Sequence, residues 1–448
     1  MHAIFNNYNS KKDETMKRMS ECNSSITRRT FLKGTAATAA AFYLGGPLTR
    51  GIASAAYEVS PGNAPYITQI TPEMIRDNDT GWVYYGAEAK DRPLRPGDKE
   101  QMKPEEFDKN ATVLKCSCYY PNAGDIGHGI HWETFSYLEH QFGGRLKFDR
   151  YFGQSLHSLA DGWKALRAGL VDVGQIYHIH NQGAFNMFMA DGLPFLSNSV
   201  VVATQIMEEM YPKYFKKEVE AQQVNLGWIP HFDVQGLITT TPIRKMEDLK
   251  GKRIMGFGGE VMRNTLISLG ATPVAIPTPD VFIGLQRGVV DGVAWAVGSI
   301  IPWRFHEVAK YVTITGMSCT AISYGVNKKT FASLPKEFQQ ELYYKFRLAG
   351  NHMSEGYTKL EDRGFEGLKN ANIEIIFLDP EEKKRWVEVG DSVWDRFIAE
   401  NEKKGLPAKQ FANDFRSAAA KYNAMSIRQI REYVSDPKNT VHGIIDGF

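Results

Sequence analysis

Residues 246–298 read MEDLKGKRIMGFGGEVMRNTLISLGATPVAIPTPDVFIGLQRGVVDGVAWAVG. Short apolar runs alternate here with amphipathic ones and with Gly- and Pro-rich punctuation, which spells strand, turn, helix, strand, helix, strand. That order is a small parallel α/β lobe. The end of the stretch, LQRGVVDG at 285–292, echoes LRAGLVDVG at 166–174. In both, an Arg lies in the last turn of a helix, a Gly follows near the C-terminal cap, and an apolar strand carrying Asp begins at once. Two such units in one chain predict two similar α/β lobes facing a cleft, which suits clamping a small molecule.

The flanking sequence fills in both lobes. A strand is expected over 112–119, a helix over 130–142, a strand over 145–151, a helix over 155–167 and a strand over 171–177, giving a first βαβαβ lobe. A helix over 204–222 and a strand within 224–237 lead across to the second lobe, which 246–310 builds. The β-rich stretch 311–326 leads back. Helix is expected over 335–371, strand over 373–377 and helix again over 381–434. The lobes are therefore expected to be discontinuous: 111–234 with 322–365, and 235–321 with 366–392. Helices over 393–448 could support a homodimer. Two crossings suit closure about a hinge.

The N-terminus carries an address. Thr27-Arg28-Arg29-Thr30-Phe31-Leu32-Lys33 is a twin-arginine pattern, 34–46 is weakly apolar, and Ala53-Ser54-Ala55 offers a cleavage site. In that order they predict an export signal with an N-terminal extension over 1–55, and a mature protein in the periplasm. An amphipathic helix is the competing reading. The apolar run is too short to span a bilayer as an ordinary helix. Residues 56–110 are rich in Pro, Gly and charge and read as an extended arm.

The 53 basic and 51 acidic residues nearly balance, which argues against a nucleic-acid partner. The mature chain, roughly 390 residues, can bury two sizeable cores. Cys116 and Cys118 share a strand face too closely for an easy mutual disulfide. A bridge from one of them to Cys319 stays open beside buried free thiols, which a core of this size favours.

GGRLK (143–147), GQSL (153–156), AGLVD (168–172), LPFL (193–196), EDLKGK (247–252), LGA (269–271), LQRGVVDG (285–292), YGVNK (324–328) and LPKE (334–337) follow one another along the chain. In that order these nine pieces resemble the solute receptors of tripartite ATP-independent periplasmic (TRAP) transporters. GFGGEV (256–261) and Trp295 resemble the branch taking 2-oxo acids and small monocarboxylates. The resemblance implies an α/β, two-lobed periplasmic binding protein fold with long C-terminal helices. It also implies capture of a small organic anion and delivery to membrane permease subunits, with no cofactor and no catalysis. Such receptors place an Arg seven residues after the position of Asp248 to pair with the ligand carboxylate; here Met255 stands there. Arg253 shares its strand face and is the candidate substitute, against the reading of a solvated or ion-paired Arg. Some receptors carry another Arg where Gln235 stands, and the metal-binding branch carries Glu where Ala294 stands.

Trp295 follows a strand end, where α/β folds bind ligands, and is either a pocket wall or a core residue. Tyr119, Tyr120 and Asn122 follow the first strand, and Tyr177, His178 and Asn181 the third; each is either a ligand contact or loop surface. His178 and His180, like His128 and His131, allow a metal reading, but no HExxH or zinc-type Cys pair completes it. The Gly-rich turn 257–260 lacks both GxGxxG and a Walker lysine, and its free backbone N–H groups suit any anion. Neither GxSxG nor a Cys/His signature is present. An exported metal- or cofactor-dependent enzyme, and a solute sensor without transport, are the rival functions.

Overall fold

The computed structural model describes residues 101–119, 126–181, 183–197, 199–232, 235–256, 259–277 and 280–440. The export signal and most of the 56–110 arm lie outside them. The arm's last residues are seated on the first lobe, where the Asp108 N–H donates to the Gly144 carbonyl at 3.1 Å.

The first lobe builds β1 (Thr112–Ser117), α1 (Ile126–Gln141), β2 (Leu146–Tyr151), α2 (Gly162–Ala168) and β3 (Val173–Ile176). It continues through α3 (Val200–Met210), a π-turn (Tyr211–Phe215), α4 (Lys216–Ala221) and β4 (Val224–Trp228). The chain then crosses to β5 (Gln235–Thr239), β6 (Arg253–Gly256), α5 (Gly259–Ser268), β7 (Thr272–Val274), α6 (Val281–Gln286), β8 (Gly292–Ala296) and β9 (Tyr311–Ile314). It returns as β10 (Ser323–Asn327), followed by α7 (Lys328–Ser333), α8 (Lys336–Asn370), β11 (Glu374–Phe377), α9 (Pro380–Lys403), α10 (Ala408–Asn423) and α11 (Ile427–Val434).

Two sheets result, in the orders β2-β1-β3-β10-β4 and β11-β9-β5-β8-β6-β7. In each, a strand adjoining a crossing segment enters antiparallel: β10 between β3 and β4, and β5 between β8 and β9. The echoed sequences occupy matching places. Gly169 and Gly288 both cap helices at left-handed φ, +71° and +66°, which a Cβ disfavours. The Asp that follows then staples its strand to the neighbouring one. Asp172 accepts the Lys115 N–H of β1 on its carboxylate (2.9 Å) and donates its own N–H to the Lys115 carbonyl (2.9 Å). Asp291 makes the same two bonds with Arg253 of β6, both at 2.8 Å.

Two expected helices are shorter than the pattern suggested. The 155–167 helix begins only at Gly162, because Gly153 and Gln154 turn at φ +67° and +60° and the Gln154 side chain accepts the Leu159 N–H at 3.0 Å. The 204–222 helix is interrupted by the π-turn that contains Pro212, which has no N–H to give to the helical ladder. The division expected between 392 and 393 falls inside α9, which runs to Lys403.

The largest core cluster centres on the first lobe. Phe135 stacks on Phe148 at 4.7 Å and Trp228 on Tyr324 at 4.5 Å, while the buried His131 ring lies 4.2 Å from Tyr324. A second cluster covers one face of the second sheet, around Ile238, Val293, Phe305 and Ile314. The 35-residue α8, about 50 Å long at 1.5 Å per residue, ties the lobes together. It packs on α1, α3 and β4 at one end and on the Val297–Ser299 turn and β11 at the other. Gly364 permits that close approach, since a Cβ there would lie 2.6 Å from the Gly298 Cα. Cys116, Cys118 and Cys319 are free and buried, so no bridge joins the first strand to Cys319. α10 buries Phe411 and Phe415, with Phe411 against Tyr214 and Phe415 against Trp394, spending its apolar face on the body rather than on a second copy. Among the described residues no helix is long and apolar enough to cross a membrane.

Candidate ligand cleft

The carboxyl ends of β1, β3, β6 and β8 are where loops leave each sheet and ligands gather in α/β folds. On the second lobe, Met255 of β6 and Trp295 of β8 lie on one face of the sheet. Met255 pairs in register with Val293, two residues before Trp295. Each is 6% exposed, whereas Val293 beside them is fully buried. Trp303 and Phe305 brace the Trp295 ring edge-on at 5.5 and 5.4 Å. Both side chains belong to the buried apolar cluster of the second lobe, near the strand ends.

Arg253 does share the Met255 face, but it starts β6 and lies at the opposite end of the strand from the cleft. Its guanidinium forms a fork on Asp291, with Nη2 to Oδ1 at 2.9 Å and Nε to Oδ2 at 3.1 Å, and Nη2 also donates to the Gly288 carbonyl at 2.7 Å. The structure therefore places Arg253 in an exposed ion pair that closes the helix–strand staple. Arg253 beside Asp291 holds that carboxyl below the usual range. We expect Arg253→Ala to leave any co-purified ligand at wild-type stoichiometry and to lower Tm only slightly. Loss of the ligand on native mass spectrometry, with the fold intact, would reinstate Arg253 as the anchor.

On the first lobe, Tyr177 and His178 are fully buried. Tyr177 meets His180 edge-on at 4.4 Å, and burial pushes its hydroxyl pKa up. His178 stacks on Phe188 at 3.9 Å. Asn181 is spent on its own loop, donating to the Tyr177 carbonyl (2.9 Å) and the Ala160 carbonyl (3.1 Å). These three are core or loop fixtures. Tyr119 is half-buried, and its N–H donates to the Gln175 side chain. Tyr120, Asn122 and the Gln235 side chain lie outside the described residues; the Gln235 backbone pairs with Ala296. Among the described residues no group of three or more His, Cys, Asp or Glu side chains is arranged to hold a metal ion.

The structure adds residues the sequence did not single out. A small recess, with room for about one water molecule, opens at the end of β1, lined by Ser117, Tyr119, Gln154, His157 and Gln175 among others. Ser117 Oγ lies 2.6 Å from His157 Nε2, whose Nδ1 lies 2.8 Å from the Ser158 carbonyl. Asp191, His178 and His231 gather under the cleft, all fully buried. The side-chain partners Ser117 and His157, and Asp191 with His178 and His231, are more than a dozen residues apart in sequence, so no local spacing announces them. The lobes touch where α5 begins. A Cβ on Gly259 would lie 2.3 Å from the Ile179 carbonyl oxygen, and one on Gly192 would lie 3.4 Å from Val261.

Residues 128–401 match the family model described as bacterial extracellular solute-binding protein, family 7, and residues 25–42 match the twin-arginine translocation pathway signal sequence. The chain is 23% identical over 267 residues to the 2,3-diketo-L-gulonate-binding periplasmic protein YiaO of Escherichia coli, covering 58% of this chain and 80% of that one. Its fold is similar to that of a TRAP periplasmic solute binding protein from Desulfovibrio salexigens, with TM-score 0.63 and 21% identity, over 70% of this chain and 97% of that one. It is equally similar to a TRAP solute binding protein from Rhodoferax ferrireducens in complex with copurified benzoate, with TM-score 0.63 and 18% identity, over 70% and 99%.

Proposed function

The chain belongs to bacterial extracellular solute-binding protein family 7, and from that premise we propose that it clamps one small monocarboxylate with an apolar or aromatic body. It is exported to the periplasm by the twin-arginine route and is a receptor of the TRAP type, working with a membrane permease. The observation that carries the ligand reading is the apolar pair Met255 and Trp295 on one sheet face near the strand ends. An apolar pair at the strand ends gains by covering hydrocarbon or a ring and offers a carboxylate nothing. Arg253 is held at the far end of its strand, so the carboxylate falls to backbone N–H groups, hydroxyls and amides nearer the first lobe. The diketogulonate and benzoate ligands of the two relatives agree in being small carboxylates.

Native mass spectrometry of the gently purified mature chain, followed by extraction, tests this directly. One small organic acid per chain is the expected result. A tightly held metal or cofactor would favour the enzyme reading instead. A neutral or cationic solute would keep the receptor and overturn the carboxylate.

A further inference from the structure

Asp191 sits in the 3₁₀ segment Met187–Gly192 of the first lobe, fully buried. Its carboxylate reaches both segments that cross between the lobes. Oδ2 accepts the Ala321 N–H at 2.9 Å, in the segment returning from β9 to β10. Oδ1 lies 2.6 Å from His231 Nε2, in the segment leaving β4 for β5. His178 Nε2 lies 3.2 Å from Oδ2. The rings are not aimed for straight hydrogen bonds, so these contacts are chiefly electrostatic. The crossing segments also pair with each other, through the His231–Ala321 bridge and the Phe232 N–H donated to the Thr320 carbonyl at 3.0 Å.

We propose that Asp191 is the clasp of the interlobe hinge: it pins His231 and Ala321 to the first lobe, so these parts of the crossing segments move with that lobe when the lobes rotate. This rests on the two-lobed receptor reading and adds what fastens its hinge. A buried carboxylate needs a neighbouring cation. His231 is equipped to be it. Its Nδ1 lies 3.1 Å from Thr204 Oγ1, which lies 2.6 Å from Ser354 Oγ, which donates to the Gly350 carbonyl at 3.2 Å. A second ring proton on His231 thus starts a chain in which every hydrogen has an acceptor. His178 has no such chain. Its Nδ1 finds no hydrogen-bond partner among the described residues, so a proton there would be buried unpaired.

Tyr177, Cys319, His180 and Glu361 also lie around the cluster. Burial raises the Tyr177 hydroxyl and the Cys319 thiol and lowers His180, keeping all three neutral near neutral pH; Glu361 of α8 acts on Cys319. Burial opposes ionisation of Asp191, but His231 and His178 outweigh it and hold its carboxyl far below the usual range. A depressed carboxyl stabilises the fold above the ordinary carboxylate pKa of about 4 and loses that contribution only in strong acid, so the clasp stays charged at working pH.

The test is hydrogen exchange on the full mature chain, resolved to single amides. In the wild type, Ala321 and Phe232 should be as protected as Leu114 and Val173 in the first-lobe sheet. Asp191→Asn and His231→Gln each keep a polar side chain and remove the charge. Either should speed Ala321 and Phe232 by about ten- to a hundredfold, the rate equivalent of a hydrogen bond to a charged group, and leave Leu114 and Val173 unchanged. Labels on Cys introduced at exposed Lys217 and Gln286, one per lobe, should report a broader interlobe distance. A wild-type Ala321 that exchanges like an open loop overturns the proposal. So does a uniform rise across all four amides, which would make Asp191 an ordinary core stabiliser. Neither outcome touches the ligand reading, which native mass spectrometry decides separately.

Discussion

Glu139→Ala should cost about 3–5 kcal/mol of folding free energy, among the largest losses for a single change in this protein. Glu139 of α1 and Arg150 of β2 pair at 2.6 Å with side chains 0% and 3% exposed. Burial pushes the Glu139 carboxyl up and the Arg150 guanidinium down, each against the pull of its partner, so desolvation outweighs attraction at both ends. Such a pair contributes little net stability while complete and penalises the loss of either half, because the survivor is a buried charge. Arg150 has other contacts, 4.4 Å over the Trp132 ring and 3.1 Å to Ser136 Oγ, but none carries a negative charge. Glu139 also accepts the Phe148 N–H at 2.8 Å, an edge-strand group that would otherwise be left open. Glu139→Gln combined with Arg150→Met keeps that acceptor and removes both charges. It should recover most of the loss in urea or guanidinium denaturation. A double variant as unstable as Glu139→Ala would show that the charges themselves hold α1 to β2.

The fold was legible because its signals are local. The repeated Gly–apolar–Asp pattern at 169–172 and 288–291 marks a helix cap and a strand start, and both appear with left-handed glycines and the same Asp staple. The site was less legible because its geometry depends on which end of a strand a residue occupies. Period-two alternation rightly put Arg253 on the Met255 face, yet alternation says nothing about distance along the strand. The staple that made the repeat recognisable in fact explains Arg253, since its guanidinium closes on the Asp291 that the repeat supplies. His178 was noticed as a ligand candidate beside His180. Its actual partner, Asp191, comes from a separate turn, and its fellow His231 from the crossing segment, so only the folded chain brings them together.

The other large effect concerns closure. Gly259→Ala should open the lobes and reduce co-purified ligand by roughly tenfold or more, equivalent to about 1.4 kcal/mol. Gly259 begins α5 at φ +65°, where an L side chain costs about 1–2 kcal/mol. Its missing Cβ is also where the first lobe's Ile179 carbonyl oxygen approaches, 2.3 Å from the position a Cβ would take. The Ile179 oxygen is backbone and a Cβ is fixed rigidly to its Cα, so neither can swing aside as a long side chain would, and the lobes must separate to admit the methyl. Gly288→Ala provides the control. It sits in the same lobe at φ +66° with nothing within 4 Å of the added Cβ, so it carries the backbone strain without the collision. The two variants should lose similar thermal stability. Only Gly259→Ala should show a larger radius of gyration in small-angle scattering and a depleted ligand in native mass spectrometry. If Gly288→Ala depletes the ligand equally, strain within the second lobe is responsible and the α5–Ile179 contact is not part of closure. If only Gly259→Ala does so, the start of α5 is the surface on which the receptor shuts.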